Sequence, residues 1–235
     1  MDQTVSLGSV LTERGADIWL PALLAAVIAY LLGCFNGAVI VSKYILRDDV
    51  RTHGSGNAGL TNFYRTFGGP LTAVVILCDV LKAVLALWAG MLLAKYMVLD
   101  SPAVITLAKY WTSVFCLLGH MFPFMFDFKG GKGILSGGTI AIMVDWRVAL
   151  VAWGGFLLLA VLTRYVSLGS LWAGASFPLS TWIFHPGTAS PEPVIIVLGF
   201  LCGGLTVWKH RENLHRLLRG EESKFSFHHK GEKKT

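Results

Sequence analysis

Charge is what this chain is short of. Only 14% of its 235 residues are Asp, Glu, Lys or Arg, while 54% are hydrophobic and the mean hydropathy is +0.60. A soluble domain of that length needs far more polar surface, so the balance points to an integral membrane protein without a sizeable soluble domain. Cysteine is sparse as well. Cys34, Cys78, Cys116 and Cys202 stand far apart, each in an apolar run, which speaks against a disulfide framework or a thiolate metal site. No clustered metal-ligand set occurs, so neither a metal nor another cofactor is expected. The first 18 residues lack a basic segment and carry a net charge of −2, so no cleaved secretion signal is expected. The overall charge of +6 does not indicate a nucleic-acid partner either. Residues 209–235 hold eight Lys and Arg against four Glu, the pattern of a cytoplasmic membrane flank.

What the chain has in quantity is apolar runs. They occupy 19–46, 70–97, 102–125, 134–144, 148–162, 171–184 and 194–208. The expected fold is therefore all-α: a polytopic bundle of about seven transmembrane helices forming one membrane-embedded domain, with 209–235 as a basic cytoplasmic tail. Residues 134–162 read as two thin, tilted spans or as a partly re-entrant region. Within 19–46, Asn36 with Gly33 and Gly37 suggests a helix packing face. Asp79 and Lys82 share a face of the second run; inside a span such a pair serves function or ties two helices together. Leu214, Leu217 and Leu218 among basic residues suit an interfacial helix.

Between these runs lie polar islands. From Arg51 to Arg65 the chain gathers Gly54, Gly56 and Gly59 with Ser55, Asn57, Thr61 and Asn62, short hydrogen-bonding groups framed by positive charge. That set suits an anionic ligand, though a plain helix–helix connector can hold the same residues. A second island, Phe128-Lys-Gly-Gly-Lys-Gly133, lacks the rest of a Walker A motif but leads a basic glycine turn into a helix, a sound phosphate cradle. Arg164-Tyr-Val-Ser-Leu-Gly-Ser170 and the basic end follow. With seven spans and the N-terminus outside, all four islands and most Lys and Arg fall on the cytoplasmic side. One shared site on that face is the simplest reading.

Taken together, residues 51–65, Gly119-His-Met-Phe-Pro123 with 128–133, and His210-Arg-Glu-Asn-Leu-His-Arg-Leu-Leu-Arg-Gly-Glu221 closely resemble the bacterial acyl-phosphate:glycerol-3-phosphate acyltransferase family, the PlsY type. One departure is Gly33-Cys-Phe-Asn36, where the family more often has Gly-Ser-x-Pro. The resemblance implies a multi-pass protein of the bacterial inner membrane. It implies transfer of a fatty acyl group from long-chain acyl phosphate to the sn-1 hydroxyl of sn-glycerol 3-phosphate, giving lysophosphatidic acid and phosphate, the first step of phospholipid synthesis. Coenzyme A and metal are not required.

By this resemblance Ser55, one of Lys129 and Lys132, one of Ser167 and Ser170, His210 and Asn213 contact glycerol 3-phosphate. The chemistry asks for more. Two phosphates must be held together, and Arg51, Lys43, the two lysines and the amides of Gly54, Gly56, Gly130, Gly131 and Gly133 can neutralise them. Asn57, Thr61, Asn62, His120 and Glu221 complete the candidate substrate site. Simpler roles exist for several: a cap or turn for Ser55 or Asn57, a membrane flank for Lys129, a satisfied polar group between helices for His120, a cap or lysine pair for Glu221. An acyl phosphate already carries a good leaving group, so orientation and oxyanion stabilisation matter more than a strong nucleophile. No His-x4-Asp motif follows His120, which favours direct transfer. His210 is the first candidate base, with substrate phosphate as the alternative. A transporter would also use intramembrane Asp79 and Lys82, but the polarity gathers on one face and no internal repeat is evident.

Overall fold

The computed structural model describes residues 15–184 and 193–225, all helix and loop, with no strand among them. The expected 185–191 loop, residues 1–14 of the acidic start and the last part of the tail lie outside the described residues. Helix α1 (Gly15–Gly33) ends at a break, and α2 (Gly37–Ile40) continues as a π-turn over Val41–Ile45. The run 19–46 is therefore not one unbroken helix. Asn36 makes the break: its side chain caps α2 by accepting the Val39 amide at 3.1 Å and donates to the Ala58 carbonyl at 2.9 Å. After a short α3 (Leu60–Thr66), α4 (Leu71–Leu93) runs into a π-turn at Ala94–Val98. Ser101 caps α5 (Pro102–Met121), with Pro102 in the first turn, where its missing amide costs nothing.

The second half holds α6 (Ile134–Val144), α7 (Trp146–Thr163), α8 (Val166–Phe184), α9 (Pro193–Lys209) and α10 (Arg211–Leu218). Asp145 caps α7 through the Arg147 amide at 2.8 Å. Arg164, in the left-handed region at φ 62°, ends α7 and allows α8 to begin at once. Ser167 and Ser170 are therefore helical residues of α8, not part of a loop, because only Arg164 and Tyr165 separate the two helices.

Four segments are long and apolar enough to cross a membrane: Asp17–Ile45, Leu71–Val98, Pro102–Phe126 and Trp146–Thr163. A fifth arises if α9 and α10, bent by 53°, count as one. Helix α6 has 11 residues, roughly 16 Å of rise against a hydrocarbon core of about 30 Å. Helix α8 has the length, but Ser167, Ser170, Ser176, Ser180 and Thr181 line its buried face. The burial pattern suits lipid. Trp19, Val161 and Leu162 are more than 70% exposed, while small residues sit where helices touch. A methyl group at Gly33 would strike the Cys116 carbonyl, and one at Gly119 the Tyr30 carbonyl, so α1 and α5 are in backbone contact. That contact carries the chain ends of both helices to the same side as the polar loops.

Candidate active site

The loops after α2 and α5, the start of α8 and the chain around α10 enclose an open cavity of about 1550 Å³. Ligand pockets commonly measure about 300–1,000 Å³, so there is room for more than one small molecule.

One wall is the 51–65 loop. Its organiser is Asn62, buried at 4% exposure. The amide nitrogen of Asn62 donates to the carbonyls of Val50 and His53 at 3.0 Å and of Asn57 at 3.1 Å, and its oxygen accepts the Ser55 amide at 3.1 Å. Gly54 and Gly56 take positive φ, the turns this wrapping requires. Gly54, Ser55, Asn57, Thr61 and Asn62 line the cavity. Arg51 does not: it grips Asp49 at 2.8 Å and the Phe126 carbonyl at 2.8 Å, clamping this loop to the end of α5. Gly56 and the exposed Lys43 also lie outside the lining.

The opposite wall begins at 129–133. The amides of Gly130 and Gly131 donate to the carbonyls of Met121 and His120 at 3.3 and 3.1 Å, so they finish α5 and stay out of the cavity. Lys129 is exposed outside it and Glu221 points to solvent. Lys132 enters the cavity with Gly133, Ile134 and Leu135 at the N-terminus of α6, where amides and helix dipole favour an anion. Burial pushes the Lys132 ammonium down to about 8, and Arg216 adds to the effect.

Lys132 donates to the Asn213 side-chain oxygen, and the Asn213 nitrogen donates to Glu222 at 2.8 Å. Arg216 holds the other Glu222 oxygen at 2.8 Å. Burial works to raise the Glu222 carboxyl, but the hydrogen bonds from Asn213 and Arg216 prevail and keep it below its ordinary range. The glutamate at the site is therefore Glu222, one residue past the sequence candidate Glu221. His210 sits at the α9–α10 bend, 4% exposed, and donates Nδ1–H to the Thr206 carbonyl at 2.8 Å. Burial pushes it down to about 4, so it is neutral at pH 7 with Nε2 as an acceptor. Ser170 is tied to the Val166 carbonyl at 2.9 Å. The Ser167 hydroxyl is buried at the cavity wall without a hydrogen bond; Glu222 approaches it short of bonding geometry. A buried hydroxyl without a partner is costly, and a ligand group would satisfy it.

Arg65, Tyr64, Arg216 and Glu222 also face the cavity and were not singled out as site residues. Arg65 stands at the edge of its island, and its place is set by a distant contact, to the Ser223 carbonyl at 3.2 Å. His120 lines the cavity from α5. Among the described residues no group of three or more His, Cys, Asp or Glu is placed to hold a metal ion.

A family profile described as glycerol-3-phosphate acyltransferase matches residues 23–220. The chain belongs to the glycerol-3-phosphate acyltransferase family. It is 38% identical over 203 residues to the glycerol-3-phosphate acyltransferase of Thermoanaerobacter pseudethanolicus, covering 86% of this chain and 95% of that one. To the Synechococcus elongatus protein of the same name it is 37% identical over 197 residues, 84% and 91% of the two chains. The fold is similar to the crystal structure of PlsY, an integral membrane glycerol 3-phosphate acyltransferase, in its glycerol 3-phosphate form: TM-score 0.73, 33% identity, 87% of this chain and 96% of that one. The lysophosphatidic acid form of PlsY gives 0.70 over 87% and 95%. This chain is thus an acyltransferase built as a multi-pass membrane bundle.

Proposed function

We propose that the enzyme transfers a fatty acyl group from a long-chain acyl phosphate directly to the sn-1 hydroxyl of sn-glycerol 3-phosphate, releasing lysophosphatidic acid and phosphate. The observation that carries this is the charge layout of the cavity. Cations stand on both walls, Lys132 and Arg216 on one and Arg65 on the other, as two phosphorylated substrates require. None of the hydroxyls of Ser55, Ser167, Ser170 and Ser223 is hydrogen-bonded to a described histidine, so no described cavity serine forms a nucleophile–base pair.

Lys132 and the α6 N-terminus hold the glycerol 3-phosphate phosphate, while Ser167, Asn213 and Ser55 orient the glycerol. His210 Nε2 accepts the hydrogen bond of the attacking hydroxyl. Its low proton affinity suits orientation, and the donor phosphate, whose basicity grows as the acyl–oxygen bond breaks, takes the proton. The hydroxyl oxygen forms the new ester bond to the carbonyl carbon, and phosphate leaves with the electron pair of the old one. An apolar recess of about 40 Å³ among α6, α7, α8 and α9 shares Gly133, Ile134, Trp153 and Phe156 with the polar cavity; it is too small for a long acyl chain and marks the apolar edge of the cavity toward which that chain is directed.

The same reading places the protein in the bacterial inner membrane with seven crossings, N-terminus outside and basic end cytoplasmic, supported by the gathering of Lys and Arg on the site face. Purified protein in detergent, given acyl phosphate and glycerol 3-phosphate, should release phosphate and lysophosphatidate in equal amounts. Equal or faster turnover with acyl-coenzyme A would contradict the donor assignment.

A further inference from the structure

The most unusual buried group in the molecule is an ammonium inside α4. Lys82 and Asp79 are 3% and 2% exposed. Lys82 Nζ has three protons and three acceptors within reach: Asp79 Oδ1 at 2.7 Å, the Phe35 carbonyl at 3.0 Å and His120 Nδ1 at 2.6 Å. A lysine ammonium has no acceptor capacity, so His120 Nδ1 must be the unprotonated, accepting nitrogen. The ring proton then belongs to Nε2. That nitrogen lies where the two polar loops meet, next to Gly131 and the Ala58 carbonyl, close enough that a methyl group at Gly131 would run into it. The Ala58 carbonyl accepts from Asn36 at 2.9 Å. His120 and Asp79 both line the cavity, and Nε2 makes no hydrogen bond with any described residue.

An ion pair whose only job was to join helices would need no histidine facing a cavity. A charged pair inside a span is costly to bury, and its partners here converge on one ring. We infer that His120 is a neutral hydrogen-bond donor to a substrate oxygen through Nε2–H, and that Asp79 and Lys82 are positioning residues that fix this tautomer. The donor is preorganised: Lys82 excludes a proton from Nδ1, and Gly131 packs against the ring at Nε2, which leaves the cavity as the side from which a substrate oxygen approaches. Such a group stabilises charge that grows on oxygen without adding a further cation to the site.

The inference rests on acyl transfer to glycerol 3-phosphate in this cavity but not on the identity of the acyl donor. Two amide substitutions separate the two ring nitrogens. His120→Gln places an amide nitrogen near Nε2, whereas His120→Asn places an amide oxygen near Nδ1, where it can still accept from Lys82. With whichever donor supports wild-type turnover, kcat should fall by no more than ~10-fold in His120→Gln and by at least ~100-fold in His120→Asn. A histidine that merely satisfies Lys82 gives the reverse order. The reverse order, or equal effects in both, overturns the donor role. Nitrogen NMR of histidine-labelled wild-type protein, with the His120 signals assigned by their loss in His120→Gln, should show the Nε2–H tautomer alone. An Nδ1–H tautomer or an imidazolium overturns the assignment without reference to turnover. An inactive wild type would sink the reading of the activity, while this spectrum would still decide the tautomer. The double variant Asp79→Asn with Lys82→Met, which leaves no buried charge unpaired, should show a mixture of tautomers; Nε2–H alone in that spectrum overturns the positioning role.

Discussion

The two walls of the cavity solve the same problem in opposite ways. A polar loop at a membrane surface must satisfy its own backbone before it can offer anything to a ligand. The 51–65 loop does this with a side chain, Asn62, which binds the carbonyls of Val50, His53 and Asn57 and the amide of Ser55. Its short polar side chains remain directed at the cavity. The 129–133 loop instead satisfies itself through main chain, with Gly130 and Gly131 finishing α5. What it has left to offer is Lys132 and the first turn of α6. The first wall is thus a scaffold with many small contributions, and the second is a support for one charge.

That contrast predicts a graded set of effects. The largest belongs to Lys132→Met, which keeps the apolar stem and removes the charge. Loss of a charge-assisted contact of about 3 kcal/mol lowers kcat/KM by ~10²-fold. Steady-state kinetics on folded protein measures it, and a loss under tenfold would remove Lys132 from the substrate site. Gly131→Ala is next, with an expected loss of ~30-fold from displacement of His120, a packing conflict in the range of 1–3 kcal/mol. Near-normal rates there would mean the two loops are not in contact at the histidine.

How much of this was legible beforehand differs between the walls. Composition and hydropathy make the all-helical membrane class plain, and both glycine islands announce themselves, because these are local properties of the chain. The choice between Lys129 and Lys132 is not local. It depends on how Phe128 and Asp127, both at φ 57°, turn the loop back onto α5. Glu221 and Glu222 are neighbours in sequence, yet Gly220 at φ 71° and the bond from the Glu221 amide to the Arg216 carbonyl at 2.8 Å send one to solvent and the other to Asn213. Ser167 and Ser170 read as loop residues because only two residues, the left-handed Arg164 and Tyr165, separate α7 from α8. The break at Asn36 was hidden by the apolar residues on either side of it.

Glu222 and Glu221 give the comparison a sharper edge. Glu222→Gln keeps the shape but weakens the hold on Asn213 and Arg216, and kcat/KM should drop ~10-fold, about the value of one charged hydrogen bond. Glu221→Gln should stay within about twofold, as surface substitutions usually do. Equal losses would mean the tail follows a different path over the site. The pH profile depends on the sign of the Lys132 charge. Below about 8 Lys132 is an ammonium, the form the proposed phosphate contact needs, and above it the neutral amine prevails. kcat/KM for glycerol 3-phosphate should therefore fall as pH rises through about 8. His210, pushed down to about 4, adds no step near neutrality. Lys132→Arg should move the alkaline limb upward, and an unchanged limb would assign it to another group. The smallest effect belongs to Lys129→Met, expected within about threefold because an exposed flank lysine contributes little.

The central claim is that Lys132, at the N-terminus of α6, holds the phosphate of glycerol 3-phosphate, and binding tests it without any acyl donor present. Calorimetric titration of glycerol 3-phosphate into detergent-solubilised wild type, Lys129→Met and Lys132→Met would measure it, with each variant first shown to be monodisperse. Wild type and Lys129→Met should bind with Kd values within about threefold of each other, while Lys132→Met binds at least ~30-fold more weakly, the equivalent of about 2 kcal/mol. Equal binding by all three proteins would contradict it.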